Sequence, residues 1–165
     1  MISFWVVNKI FCIYRHTCAD ACVAMLALDH RAKPNFNALL LDKGEAHFCN
    51  AIQPRGSTWA DTDKSYTDAG LIFKDLEYSK TDSFKKKLEL FSEYLKIYGS
   101  LDLTTTSSFG AHGIILDAIS FVDGTATIRE PYHGWKIDIT LKAFEGLNPI
   151  KPRCIIGKTE PMKKM

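Results

Sequence analysis

The chain is poor in several features that would each point to a class of protein. No two of its five cysteines have C-x-x-C spacing, which sets aside a zinc ribbon or a thioredoxin-like pair, and an odd thiol count is a poor basis for a disulfide scaffold. Cys12, Cys18, Cys22, Cys49 and Cys154 therefore read as free thiols of a reducing cytosol. A basic stripe is also missing: 21 Lys and Arg against 19 Asp and Glu leave a net charge of +2. Those charges are dispersed apart from Lys85–Lys87 and the tail Lys158–Lys164, so a nucleic-acid partner is not expected. No apolar run approaches the roughly 20 residues of a membrane-spanning helix. The apolar stretch ISFWVVNKIFCIY lacks a basic n-region and a small-residue cleavage site, and Lys9 interrupts it, so it does not read as a secretory signal. Repeats and low-complexity tracts are absent as well.

What is present suffices for one core. With 165 residues and 46% hydrophobic content, the expectation is a single domain over residues 1–165. Thr17–Leu28, TCADACVAMLAL, is the stretch on which the rest depends. Small residues and then strong helix formers set Cys18 at a helix N-terminus, where unpaired N–H groups and the positive end of the macrodipole favour thiolate over thiol. Cys22, one turn on among Val23, Ala24, Met25 and Leu26, reads as a small buried hydrophobe.

Further elements follow from pattern. Ile2–Val7 reads as an extended segment, Ala19–Leu28 as a helix with little polar face, and Phe36–Leu41 as a short helical piece. Cys49–Asp63, with Pro54, Gly56, Ser57 and Thr58, reads as a loop whose Trp59 is a packing anchor. Lys64–Ala69 follows as a helical turn closed by Gly70, then Leu71–Leu76 as a strand. Phe84, Leu88, Phe91, Leu95 and Tyr98 recur at spacings of three and four, giving a helix capped within Thr81-Asp82-Ser83 and closed by Gly99. Lys85, Lys86, Lys87, Glu89 and Glu93 form its expected solvated face. Strands are expected at Leu101–Thr106, Ala111–Ile119, Thr125–Arg129, Trp135–Thr140 and Cys154–Ile156, with a short helix at Leu141–Leu147. Helices first and strands afterwards predict an α+β fold, an antiparallel sheet packed on the Cys18 helix.

A thiolate becomes a working nucleophile when a base shuttles its proton and a third group orients that base. Of the five histidines, His16, His30 and His47 stand in polar or loop contexts and His133 in the turn Pro131–Gly134. His112 begins a strand between Ala111 and Gly113, small neighbours that leave room for a partner. Strand parity then constrains the orienting acid, because side chains directly opposite one another share a face. A two-residue Asp123-Gly124 turn sets Asp117 opposite Glu130 and leaves Glu130 on the wrong face. A five-residue loop, Ser120–Gly124, sets Ile114 opposite Glu130, on the face of His112 and one diagonal step away. A triad of Cys18, His112 and Glu130 requires the second register.

CADACVAM resembles the nucleophile helix of the papain-like superfamily, most closely the C-G-P-A-C-L-A-M form of double-glycine leader peptidases from bacteriocin exporters. GAHGIILDAISFVDGTATIREPYHG resembles their His-strand, turn and Asp-Pro segment, and similar segments occur in papain-like effectors that bacterial pathogens deliver into host cells. The resemblance covers about a third of the chain. It implies a papain-like fold with Cys18 as nucleophile, His112 as base, Glu130 as the orienting carboxylate, no cofactor and no metal. It further implies a protein or peptide substrate, such as a host protein reached by a non-classical secretion route. A cysteine protease and a glutamine deamidase use the same thioester chemistry, so both stay open. Two departures stand out. Glu130 replaces the usual Asp, and Cys12 occupies the position of the usual oxyanion-hole Gln, six residues before the nucleophile; a thiol is a poor donor. These departures motivate a rival reading, an inactive papain-like binding module. The backbone N–H of Cys18 is one source of oxyanion donors, with Asn8, His16 or another donor to complete the hole. A metal site of Cys18, His112 and Glu130 has no recognised ligand spacing. Trp59, Phe109, Tyr132 and Trp135 are candidates to line a cleft, though packing is the plainer role for aromatics at strand ends.

Overall fold

The structure, a computed structural model, describes residues 18–42, 58–107 and 110–159. The expected extended segment Ile2–Val7 and Phe109 lie outside the described residues. Helix α1, Cys18–Asp29, begins on the reactive candidate itself. Every residue from Asp20 to Ala27 is buried, so α1 is apolar all round and sits inside the molecule, as its lack of a polar face predicts. A π-helical turn, Asn37–Asp42, stands where the short helical piece was expected.

The first correction is α2, Trp59–Asp68, whose opening turn falls in the stretch read as loop. Thr58 and Asp61 form a reciprocal capping box. The Thr58 hydroxyl accepts from the Asp61 N–H at 3.2 Å, and the Asp61 carboxylate accepts from the Thr58 N–H at 2.7 Å. Two donors of the first turn are thereby satisfied, which outweighs the loop-forming composition just upstream. Strand β1 is Leu71–Asp75. Helix α3, Phe84–Tyr98, has Ser83 as N-cap and Gly99, at φ +79°, as its terminator. Leu88 and Phe91 of its stripe are buried. Lys87, expected in solvent, is instead only 8% exposed, a second correction: it lies beside Leu88 on the flank that turns towards the sheet.

Strands β2 (Leu101–Ser107), β3 (Gly110–Ser120), β4 (Thr125–Glu130) and β5 (Trp135–Thr140) lead to the short helix α4 (Leu141–Gly146) and then β6 (Pro149–Lys158). All pairs are antiparallel, in the order β1-β6-β2-β3-β4-β5, which makes an α+β fold with one six-stranded sheet. β6 is much longer than Cys154–Ile156. Its start is disguised by Pro149, Pro152 and the left-handed Lys151 (φ +52°), which accompany an offset in its pairing with β2. Alternation along β3 divides the core. Ile115 packs with α1 and Tyr66, whereas Ile114 and Leu116 pack with Leu88 and Phe91 of α3 and Phe144 of α4. Among the described residues no helix is long and apolar enough to cross a membrane.

Candidate active site

Cys18 is the first residue of α1 and is partly buried. The tip of the helix meets β3 at Gly113, whose N–H donates to Cys18 Sγ at 3.4 Å. A Cβ at residue 113 would stand 3.3 Å from Ala19 Cα and 3.4 Å from Ala19 N, tighter than ordinary packing. Glycine is what lets helix and strand approach closely enough to bring the thiol beside the preceding residue of the strand, His112.

Glu130 reaches the same place through an irregularity. Next to the turn, Ser120 pairs with Thr125, Ile119 with Ala126 and Ala118 with Thr127; beyond it, Leu116 pairs with Ile128 and Ile115 with Arg129. Asp117 is the extra residue of a β-bulge. The loop is therefore Phe121–Gly124, with Gly124 at φ +65°, and neither of the two lengths considered from the sequence. Carried one step on, the register beyond the bulge sets Glu130 opposite Ile114, the alignment the triad requires. A regular ladder from the same turn would set it opposite Ile115, on the far face from His112.

The bulge is pinned. Asp117 Oδ1 accepts from Ser100 Oγ at 2.6 Å and from Arg129 Nη2 at 2.9 Å, and Lys136 Nζ stands 3.3 Å from Oδ2. Arg129, with its side chain 5% exposed, also donates to both oxygens of Asp29 at the end of α1, at 3.2 and 2.6 Å.

Glu130 Oε1 stands 2.5 Å from His112 Nε2 and accepts the Tyr132 N–H at 2.8 Å. Oε2 accepts from the His133 N–H at 2.8 Å and from His133 Nδ1 at 2.7 Å. Burial pushes the Glu130 carboxyl upward, but these donors, led by His112, overcome it and hold the pKa near 2. For His112 burial opposes charging, and the hydrogen bonds and negative charge of Cys18 and Glu130 outweigh it, raising the pKa to about 9. At neutral pH the imidazole is a cation between the Cys18 sulfur and the Glu130 carboxylate. With Nε2 engaged by Glu130, Nδ1 is the ring nitrogen left for sulfur. The two partners address one imidazole from different sides, and among the described residues no three His, Cys, Asp or Glu converge as a metal site.

A cavity of about 500 Å³ opens beside the pair, lined among others by Thr58, Trp59, Asp102 and Lys151. Trp59, expected as a packing anchor, is 42% exposed, and Lys151 Nζ lies 3.8 Å from its ring centroid. Burial raises the Asp102 pKa to about 6 against a hydrogen bond from the Tyr66 hydroxyl and the charge of Arg153. Tyr132 and Trp135, at 45% and 50% exposure, stand by Glu130 and do not line this cavity. The oxyanion candidates Asn8 and His16, and Cys12 at the family's Gln position, lie outside the described residues.

Sequence reading missed two features: the role of His133, which looked like a turn residue, and the bulge. The run E-P-Y-H-G was the available signal for the first, since its N–H groups at two and three residues past the acid can return to the carboxylate. Compared with protein-family models and with characterised proteins, the chain matches none.

Proposed function

We propose that the chain is a papain-like cysteine hydrolase in which Cys18, His112 and Glu130 form the triad. One observation carries the reading: the His112 imidazole stands between the Cys18 thiol and the Glu130 carboxylate, with the first turn of a helix at the sulfur. The thiolate attacks an amide carbonyl carbon, a C–S bond forms, and the carbonyl oxygen takes the negative charge, with the Cys18 N–H as one donor to it. His112 passes its proton to the leaving nitrogen as the C–N bond breaks, leaving a thioester. It next takes a proton from water, whose oxygen attacks the thioester carbon. The C–S bond then breaks, releasing a carboxylic acid and the free thiol. Glu130 fixes the imidazole orientation and stabilises its cation.

A peptide bond as substrate makes the enzyme a protease; a glutamine side chain, with ammonia leaving, makes it a deamidase. The leading reading is a protease acting as a bacterial effector on a host protein. A thiol-directed activity probe tests the chemistry: selective labelling of Cys18 that disappears in His112→Ala is expected, and labelling no stronger than that of Cys49 would favour the inactive binding module. Incubation with host-cell lysate followed by mass spectrometry separates the substrates. New protein termini indicate proteolysis, and a gain of about one mass unit on glutamine indicates conversion of an amide to an acid.

A further inference from the structure

The Glu130 carboxylate has more partners than a triad acid needs to hold one imidazole. Each of its oxygens carries one peptide N–H and one histidine ring: the Tyr132 N–H and His112 on Oε1, the His133 N–H and His133 Nδ1 on Oε2. A glutamate in place of aspartate brings an extra torsion, and free rotation about its last bonds would turn the carboxylate plane away from the His112 ring. Freezing such a side chain costs up to roughly 1.5–2 kcal/mol, and each further partner on the carboxylate offsets part of that cost.

We propose that His133 is a positioning residue of the triad, its Nδ1–H gripping one oxygen of the Glu130 carboxylate so that the other stays aimed at His112. The proposal rests on the hydrolase reading above.

The local chain is built for this. Pro131 fixes φ just after the acid, Gly134 at φ +66° turns the chain back, and the pairing of Glu130 with Trp135 sets the indole beside the turn. Trp135 stacks on His133 at 4.2 Å with 14° between the ring planes, and Tyr132 meets it edge-on at 4.9 Å. The His133 side chain is half-exposed, so these aromatic contacts, and not enclosure, aim its ring. Glu130 is an anion that can only accept, so Nδ1 must carry a hydrogen.

The test is an NMR titration of His112 in the full chain, alongside His133→Ala and His133→Asn; the Asn amide nitrogen reaches about where Nδ1 sits. The proton affinity of His112 is expected to fall tenfold or more in the Ala variant, towards the ordinary histidine value, and to remain within a few-fold of the parent in the Asn variant. A merely structural role would not separate Ala from Asn. Superimposable titrations of parent and Ala variant, or an Asn variant as impaired as Ala, overturn the proposal. Should the Ala variant not fold, ¹⁵N shifts of the unaltered protein decide: a hydrogen on His133 Nδ1 is expected, and a neutral ring bearing its hydrogen on Nε2 overturns it. Failure of the underlying reading looks different, since His112 in the parent would then titrate near 6.5.

Discussion

The two ends of α1 are held in opposite ways. At its start, Cys18 is partly exposed, opens onto a cavity, and is met by one N–H at 3.4 Å. At its end, Asp29 is clamped by both arms of a buried guanidinium that also holds Asp117 on β3. Both ends dock on the same hairpin, four residues apart along β3. The difference shows a division of labour: the thiol end stays accessible, while the opposite end fixes the strand alignment that puts Glu130 within reach of His112.

Breaking the clamp is expected to have the largest effect. Arg129→Ala leaves buried carboxylate behind and should cost about 3–5 kcal/mol in denaturant unfolding. It should also slow probe labelling of Cys18, although residue 129 touches neither sulfur nor imidazole; unchanged labelling in the folded variant would detach the bulge from the site.

The pH dependence of stability sharpens the comparison, because His112 and Glu130 beside Cys18 both carry strongly shifted pKa values, whereas Arg129 at the other end is held charged by Asp29 and Asp117 against the cost of its burial. The His112 pKa is raised from 6.5 to about 9, so its contribution is full below 6.5 and disappears as pH rises through 9. The Glu130 pKa is lowered from 4.5 to about 2, so its contribution is full above 4.5 and is lost as pH falls through 2. The stability gap between the parent and His112→Ala should therefore be widest between pH 4.5 and 6.5. Taking the difference cancels Asp102, whose raised pKa adds its own decline through about 6. A gap that stays constant to pH 10 counts against the triad.

At the thiol end alone, Gly113→Ala forces a methyl against Ala19 and should cost about 1–3 kcal/mol while weakening Cys18 labelling. Smallest of all, Ser83→Ala removes the α3 cap, which accepts from the Lys86 N–H, and should cost about 1 kcal/mol with labelling unaltered. Any loss of labelling there would mean that stability alone governs the thiol.

Much of this arrangement was legible in the letters. Helix α1 and its first residue followed from a run of small and apolar residues, α3 from its stripe, β3 from its apolar run, and β4 and β5 from alternation. Parity arithmetic identified the alignment of Ile114 with Glu130 that the triad needs. It could not foresee that a bulge at Asp117, not a longer loop, supplies it, because a bulge depends on partners as distant as Asp29 and Ser100. The opening of α2 was hidden because loop-forming residues precede a reciprocal cap of only two side chains. Lys87 was misjudged because its charge says nothing of the path of its methylene stem. His133 was overlooked because its value lies in a return contact three residues back, and hydrophobic pattern carries no trace of such contacts.

Asp117 is, for the hydrogen-bonded ladder, a surplus amino acid. Strand pairing can be completed without it, so excising that single residue would let β3 and β4 zip continuously with Ile114 still facing Glu130. Replacing it by alanine keeps the surplus and discards its carboxylate. The two alterations thus pull apart alignment and anchorage, which the native chain obtains from one spare position.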